Sequence, residues 1–167
     1  MSTRDSVEVV LESFRAVERR DEERQRELFH PQAEFHWPPS LPYGRPSGEV
    51  EPGQRSTWES VWAPLQPTEA ERSMDPRVVA ASDDEVVVLW QQRGVDPAGN
   101  RFHCPVLGLY LVRDRKLARA QMFYFDTTAT ANFLTSACVP QSAEGQGRTL
   151  DAGGPGSGRR HRQHEHR

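Results

Sequence analysis

Three side chains in the second half of the sequence set a proton-bearing group within an apolar run: Tyr110, Tyr124 and Asp126. A carboxylate desolvated by apolar neighbours has its pKa raised, which suits proton transfer near neutral pH. A phenol can donate to a carbonyl or enolate oxygen. Each group also has a plainer reading. Asp126 can cap a turn by accepting from the amides of Thr127 or Thr128. The two tyrosines can be packing residues with their hydroxyls at a rim. Other chemistries lack parts. Cys104 has no aligned histidine to activate it as a nucleophile. No HExxH segment, cysteine pair or carboxylate cluster marks a metal site, and no cofactor is expected. Gly153-Gly154-Pro155-Gly156 lacks the strand and helix that flank a nucleotide loop. His161, His164 and His166 have no rigid surroundings to hold a metal.

The elements that must position these groups begin with a helix. Val7, Val10, Leu11, Phe14 and Val17 recur at helical spacing, with Asp5 and Glu8 as a capping box. A charged second helix is predicted over Asp21–Phe29, the pair ending at His30-Pro31 because proline disfavours helix before it. Ala33 to Trp37 is a predicted strand, closed by the Pro-rich stretch Pro38 to Gly44. A third helix is predicted over Thr57–Ala63, with Trp58, Val61 and Trp62 on its apolar side. From Pro76 the period changes to that of strands: Arg77–Ala81, Glu85–Val95, Arg101–Arg113, and Leu117 to about Asp126. Turn chemistry at 96–100 and 114–116 separates the last three. Helices followed by hairpin-linked antiparallel strands indicate an α+β fold.

Composition sets the outer bounds. The 167 residues suffice for one domain with one core, and 35% hydrophobic with 27% charged residues is globular but polar. From about Ser142 the chain holds almost nothing to bury, so a domain over Ser2–Ala137 and a disordered Gly/Arg/His-rich tail over 138–167 are expected. The tail after Gln141 carries five Arg and three acids, +2, which leaves −5 of the net −3 on the domain. An acidic domain excludes a nucleic-acid surface. The charged N-terminus and the lack of a long apolar run predict no signal peptide, no membrane span and a cytoplasmic location.

This order of elements resembles the nuclear transport factor 2-like superfamily, in particular its SnoaL-like members. The likeness rests on Ala33-Glu34-Phe35-His36 leading into Ser40-Leu41-Pro42-Tyr43-Gly44, and on Phe123-Tyr124-Phe125-Asp126-Thr127-Thr128. It implies a cone: a helical hairpin and a third helix on a strongly curved sheet, around an apolar pocket. Superposed without gaps on the ketosteroid isomerase pattern, the chain has Trp37 at the place of the base, Ser13 at that of the tyrosine and Gly108 at that of the acid. Those three polar roles are vacant.

If Gly108 faces inward, alternation brings Phe102, Cys104, Val106 and Tyr110 to the same side. Ala120, Met122, Tyr124 and Asp126 then share the inner face of the last strand, with Val88, Trp90 and Gln92 as a further set. The expected binding residues are Phe35, Trp37, Tyr43, Trp62, Trp90, Gln92, Phe102, Cys104, Val106 and Met122, an aromatic and sparsely polar chamber. Tyr43 either gates it or pins its loop. His36 and His103 fall on the outward side. SnoaL-like cyclases use an aspartate late in the last strand, so the resemblance gives Asp126 the acid/base role, with Tyr124 or Tyr110 orienting an oxygen. The implied function is a cofactor-independent cyclase or isomerase acting on a hydrophobic polyketide-like intermediate. The alternatives are a ligand-binding or dimerisation module without turnover, and an epoxide hydrolase. A homodimer is expected through the outer sheet face, where Leu107, Leu109 and Leu111 form an apolar row.

Overall fold

A computed structural model of the chain describes residues 1–43 and 64–138. The predicted third helix, Trp62 and the tail from residue 139 lie outside the described residues.

Helix α1 (Thr3–Arg19) follows the expected apolar stripe, but its cap lies three residues earlier than the sequence suggested. The Ser2 hydroxyl accepts from the Asp5 amide at 3.3 Å, and the Asp5 carboxylate accepts from the Ser2 amide at 3.1 Å. Arg20, in the left-handed region at φ 54°, ends the helix. Helix α2 (Glu22–Leu28) starts at Asp21, whose side chain accepts from the Arg24 amide at 3.0 Å.

Strand β1 (Phe29–His36) leaves α2 directly and begins four residues before the expected Ala33. Pro31 did not stop it, because β1 is an edge strand and its register is irregular between Phe29 and Glu34, where no ladder donor is required. Within β1, Phe35 lies opposite Ala120 of the last strand. A one-turn helix α3 (Glu69–Arg72), not foreseen, precedes β2 (Arg77–Ala81). Strands β3 (Glu85–Val95) and β4 (Arg101–Arg113) have the predicted bounds, and β5 (Lys116–Tyr124) ends earlier than predicted. The chain then enters helix α4 (Thr127–Cys138), where the sequence reading had placed no helix.

The five strands form one sheet in the order β1-β5-β4-β3-β2. All pairings are antiparallel except β1 with β5, which is parallel, so the sheet is mixed rather than a pure meander. The core lies between α1 and the inner face of the sheet. Val10, Val86, Val88 and Val106 are fully buried there, each worth about 1.5–3 kcal/mol relative to exposure. Helix α4 adds Thr130, Leu134 and Ala137, spaced to fall on one side of a helix. The ring of Phe133 stacks on Phe102 at 4.7 Å. Gly94 permits this docking, since a Cβ there would meet the Pro64 carbonyl oxygen at 2.7 Å and the Phe133 ring at 2.8 Å.

The outer face carries Leu107, Leu109 and Leu111, half-buried, with Leu89 opposite Leu107 and the exposed Phe123 on its other side. No helix among the described residues is long and apolar enough to cross a membrane.

Candidate functional site

Alternation along β3, β4 and β5 decides which side chains turn toward α1. Val88, Trp90 and Gln92 are buried on β3, as are Cys104, Val106, Gly108 and Tyr110 on β4, and Ala120, Met122 and Tyr124 on β5. This is the inner face that the sequence implied. Position along the strands then divides these residues into two groups.

The first group lines a chamber of about 120 Å³. One wall is α1, through Val10, Ser13, Phe14 and Val17. Phe29, Phe35 and Trp37 form another, and Trp90, Tyr110, Leu117, Ala120 and Met122 come from the sheet. Met74 and Gln66 close it from the connection before β2. Gln66 is held there by its backbone: its amide donates to the Arg93 carbonyl at 3.0 Å, and the Arg20 guanidinium donates to its carbonyl at 3.0 Å. The aromatic walls fix one another. Phe35 stacks on Trp37 at 5.9 Å, and the Phe14 ring meets Trp90 at 5.9 Å and Tyr110 at 5.5 Å, edge to face.

None of the described residues lining the chamber is ionisable except Tyr110. The Ser13 hydroxyl is spent on the Val9 carbonyl at 2.8 Å. Tyr110 lies back over its own strand, so that a Cβ on Gly108 would stand 2.4 Å from its hydroxyl oxygen and from Cε2. Burial pushes the Tyr110 phenol well above its usual range, and the nearby Trp90 indole offsets this in part. The indole N–H is nevertheless completely buried without a hydrogen bond of good geometry. Tyr110 is therefore a neutral donor at physiological pH.

The second group forms a buried polar chain beside the chamber. The Tyr43 hydroxyl donates to that of Tyr124 at 3.0 Å, and Tyr124 donates to Oε1 of Gln92 at 3.3 Å. The Gln92 amide donates to the Arg93 carbonyl at 3.2 Å. Desolvation raises both phenols, so each stays protonated and the chain is neutral. Tyr43 thus ties the Pro-rich segment to the sheet. Cys104, a free and buried thiol, packs here near the Pro105 and Asp126 carbonyls. Val106 is wholly buried in the core and Phe102 packs on α4. Tyr43, Tyr124, Gln92, Cys104, Val106 and Phe102 do not line the chamber.

Asp126 lies elsewhere. Strand β5 ends at Tyr124, so the alternation that put Asp126 on the inner face stops two residues short of it. The side chain is exposed at the start of α4, where Oδ1 accepts from the Ala129 amide at 2.7 Å. The acceptor role foreseen for it is present, with Ala129 as donor in place of Thr127 or Thr128. His36 and His103 are both directed outward. His36 bonds Glu34 at 3.1 Å, and His103 borders an outer groove of about 550 Å³ between Asp75, Arg77, Arg93 and Pro105. Among the described residues no group of His, Cys, Asp and Glu side chains is arranged to hold a metal ion.

The sequence reading missed Val10, Phe14, Val17, Phe29, Leu117, Met74 and Gln66 as lining residues. The stripe of α1 already marked the first three as inward-facing. Met74 and Gln66 sit in irregular chain and gave no such signal.

Known proteins place this geometry in a group. Bal32a, from a soil-derived mobile gene cassette, superposes with a TM-score of 0.61 at 14% identity, over 79% of this chain and 98% of its own. TerC, co-crystallised with polyporic acid, gives 0.56 at 19% identity, over 78% and 98%. A nuclear transport factor 2-like protein from Burkholderia xenovorans LB400 gives 0.58 at 19% identity, over 82% and 98%. No protein of curated function matches the chain in sequence. The SnoaL-like domain family matches residues 10–120, from the middle of α1 into β5, and the chain belongs to it.

Proposed function

We propose that the chain is a cofactor-independent cyclase or isomerase that admits part of a neutral, hydrophobic, polyketide-like intermediate to the chamber, where Tyr110 donates to a substrate oxygen. One observation carries this reading: Tyr110 is a buried, protonated phenol in the wall of a chamber whose other described lining residues, Ser13 and Gln66 apart, are apolar or aromatic. In such surroundings a single fixed donor stabilises developing negative charge on oxygen far better than water does. Similarity in fold to a candidate polyketide cyclase from Xanthomonas campestris, and to TerC with its polyporic acid, is in keeping with it.

Ligand binding without turnover is the second reading. It is favoured by the lack of any carboxylate or imidazole among the described lining residues, since proton abstraction needs a base within reach. Asp126 serves as that base only for a substrate whose reacting carbon extends out to the start of α4. The epoxide hydrolase alternative gains no support, because no Asp or Arg lines the chamber among the described residues. In either reading the apolar outer face receives a second copy of the chain.

Incubation in deuterated water with a two-ring β,γ-unsaturated ketone, whose reacting carbon extends outside the chamber toward Asp126, separates the two readings. Isomerisation with deuterium uptake, lost in Tyr110→Phe while tryptophan fluorescence still reports binding, supports the cyclase or isomerase reading. Binding with no deuterium uptake in the unaltered protein leaves the binding module.

A further inference from the structure

We propose that Trp90, Gly108 and Tyr110 form one donor unit that selects a neutral, single-ring ligand bearing one acceptor oxygen. This deepens the reading of the chamber as a small-molecule site and rests on it.

Size comes first. A dry cavity of about 150 Å³ accepts one benzene ring, and sites for drug-sized ligands begin at about 300 Å³. The chamber, at about 120 Å³, is no larger than that and takes at most one ring, so the rest of a larger substrate must remain outside it. Charge comes second. With no cation among the described lining residues, an ionised ligand would lose its hydration and gain no counter-ion.

The donor is the third element. Trp90 is 94% buried, given its 6% exposure, and its indole N–H lacks a hydrogen bond of good geometry. A buried N–H without an acceptor costs free energy, so its presence calls for an acceptor nearby. Tyr110 lines the same chamber as Trp90, Phe14 meets both rings, and the indole acts on the phenol's ionisation against the effect of burial. An indole N–H turned onto the phenol oxygen would leave the phenolic proton for a ligand oxygen in the chamber. Gly108 makes this possible, because any side chain there would occupy the position of the Tyr110 hydroxyl. Phe14 packs edge-on against both rings and holds them together. Trp90 is accordingly a positioning residue, and Tyr110 is the group that touches the ligand.

Three probes of one shape test the idea: acetophenone, ethylbenzene and benzoate, titrated against the full chain by tryptophan fluorescence and calorimetry. Acetophenone is expected to bind about fivefold more tightly than ethylbenzene, the worth of one net hydrogen bond, and benzoate more weakly than both. The ratio of acetophenone to ethylbenzene affinity should fall to one in Tyr110→Phe, and should fall in Trp90→Phe, whereas a merely structural loss would weaken both probes alike. Equal binding of these two probes to the unaltered protein overturns the donor unit, as does a ratio that survives Tyr110→Phe. Benzoate binding as tightly as acetophenone overturns the selection for neutral ligands. If ethylbenzene and acetophenone both fail to bind, the chamber itself is not a ligand site and the reading beneath this one falls with it.

Discussion

Replacing Gly108 by alanine tests whether Tyr110 is held where the geometry puts it. The added Cβ would lie 2.4 Å from Cε2 and the hydroxyl oxygen of Tyr110 and 2.5 Å from Cζ, a full ångström inside ordinary contact. The ring cannot yield by a simple rotation, being fixed edge-on by Phe14 at 5.5 Å and buried to 6% exposure. Its escape is into the chamber, at the expense of its packing on β4. Overpacking of this kind costs about 1–3 kcal/mol, a fall in Tm of roughly 3–10 °C for a domain of this size. The control is the same substitution in a Tyr110→Leu background. Leucine lacks the three atoms in collision, so alanine at 108 should then be neutral, or stabilising by up to about 1 kcal/mol through relief of glycine's backbone entropy. The coupling energy from this double-mutant cycle, read by urea denaturation, is therefore about 2 kcal/mol. An equal penalty in both backgrounds would refute the argument, because the clash would then lie with something other than the tyrosine ring.

Three further outcomes are expected. Asp126→Ala should cost about 1 kcal/mol by chemical denaturation through loss of the α4 cap, and Asp126→Asn only a few tenths; loss of turnover by Asp126→Asn at unchanged stability would instead restore Asp126 as an acid/base. Tyr124→Phe should destabilise by about 1–3 kcal/mol, since it strands the Gln92 oxygen and takes the acceptor from Tyr43; a neutral result would mean that these bonds contribute nothing. Acid should also destabilise the fold. Asp75 is held below the usual carboxylate range by Arg93 and Ser73, Glu71 by Thr68 and Arg101, and Asp96 by Asn100. A depressed folded pKa gives stability that is present above the unfolded value, about 4, and is lost as pH falls through the folded one. Thermal unfolding should therefore shift down between about pH 5 and 3, and Arg93→Gln should flatten that slope.

The strands were legible because their signals are local. Alternation in Glu85–Val95 and Arg101–Arg113, bounded by the Asp96–Asn100 turn, marked both their ends and grouped Trp90 with Val88 and Gln92, and Tyr110 with Gly108, without saying which side of β3 faces inward. Parity says which face a residue occupies and nothing of how far along the sheet it lies. That is why Cys104, Val106 and Tyr124 were grouped with the chamber although they pack beside it. Extending the parity past Tyr124 misplaced Asp126 for a related reason, as no residue signals the strand's last hydrogen bond. Helix α4 was hidden by its composition. Thr127, Thr128, Thr130 and Thr135 are β-branched and poor in helix propensity, and the helix forms because Leu134 and Phe133 find a surface that only the folded sheet provides. The parallel pairing of β1 with β5 joins segments about ninety residues apart, which no short-range pattern encodes.

The edges of the sheet bear on how this chain keeps out of trouble. An uncovered edge is a template on which further strands can grow into a filament. Here one edge is β1, which carries Pro31 and an irregular register, and the other is the five-residue β2, with a slip between Val78 and Ala80. Both are poor templates: one lacks a donor and the other is short and kinked. Among the described residues both edges therefore disfavour strand-by-strand growth, and a two-fold pairing of copies face to face would close on itself rather than extend into a fibre.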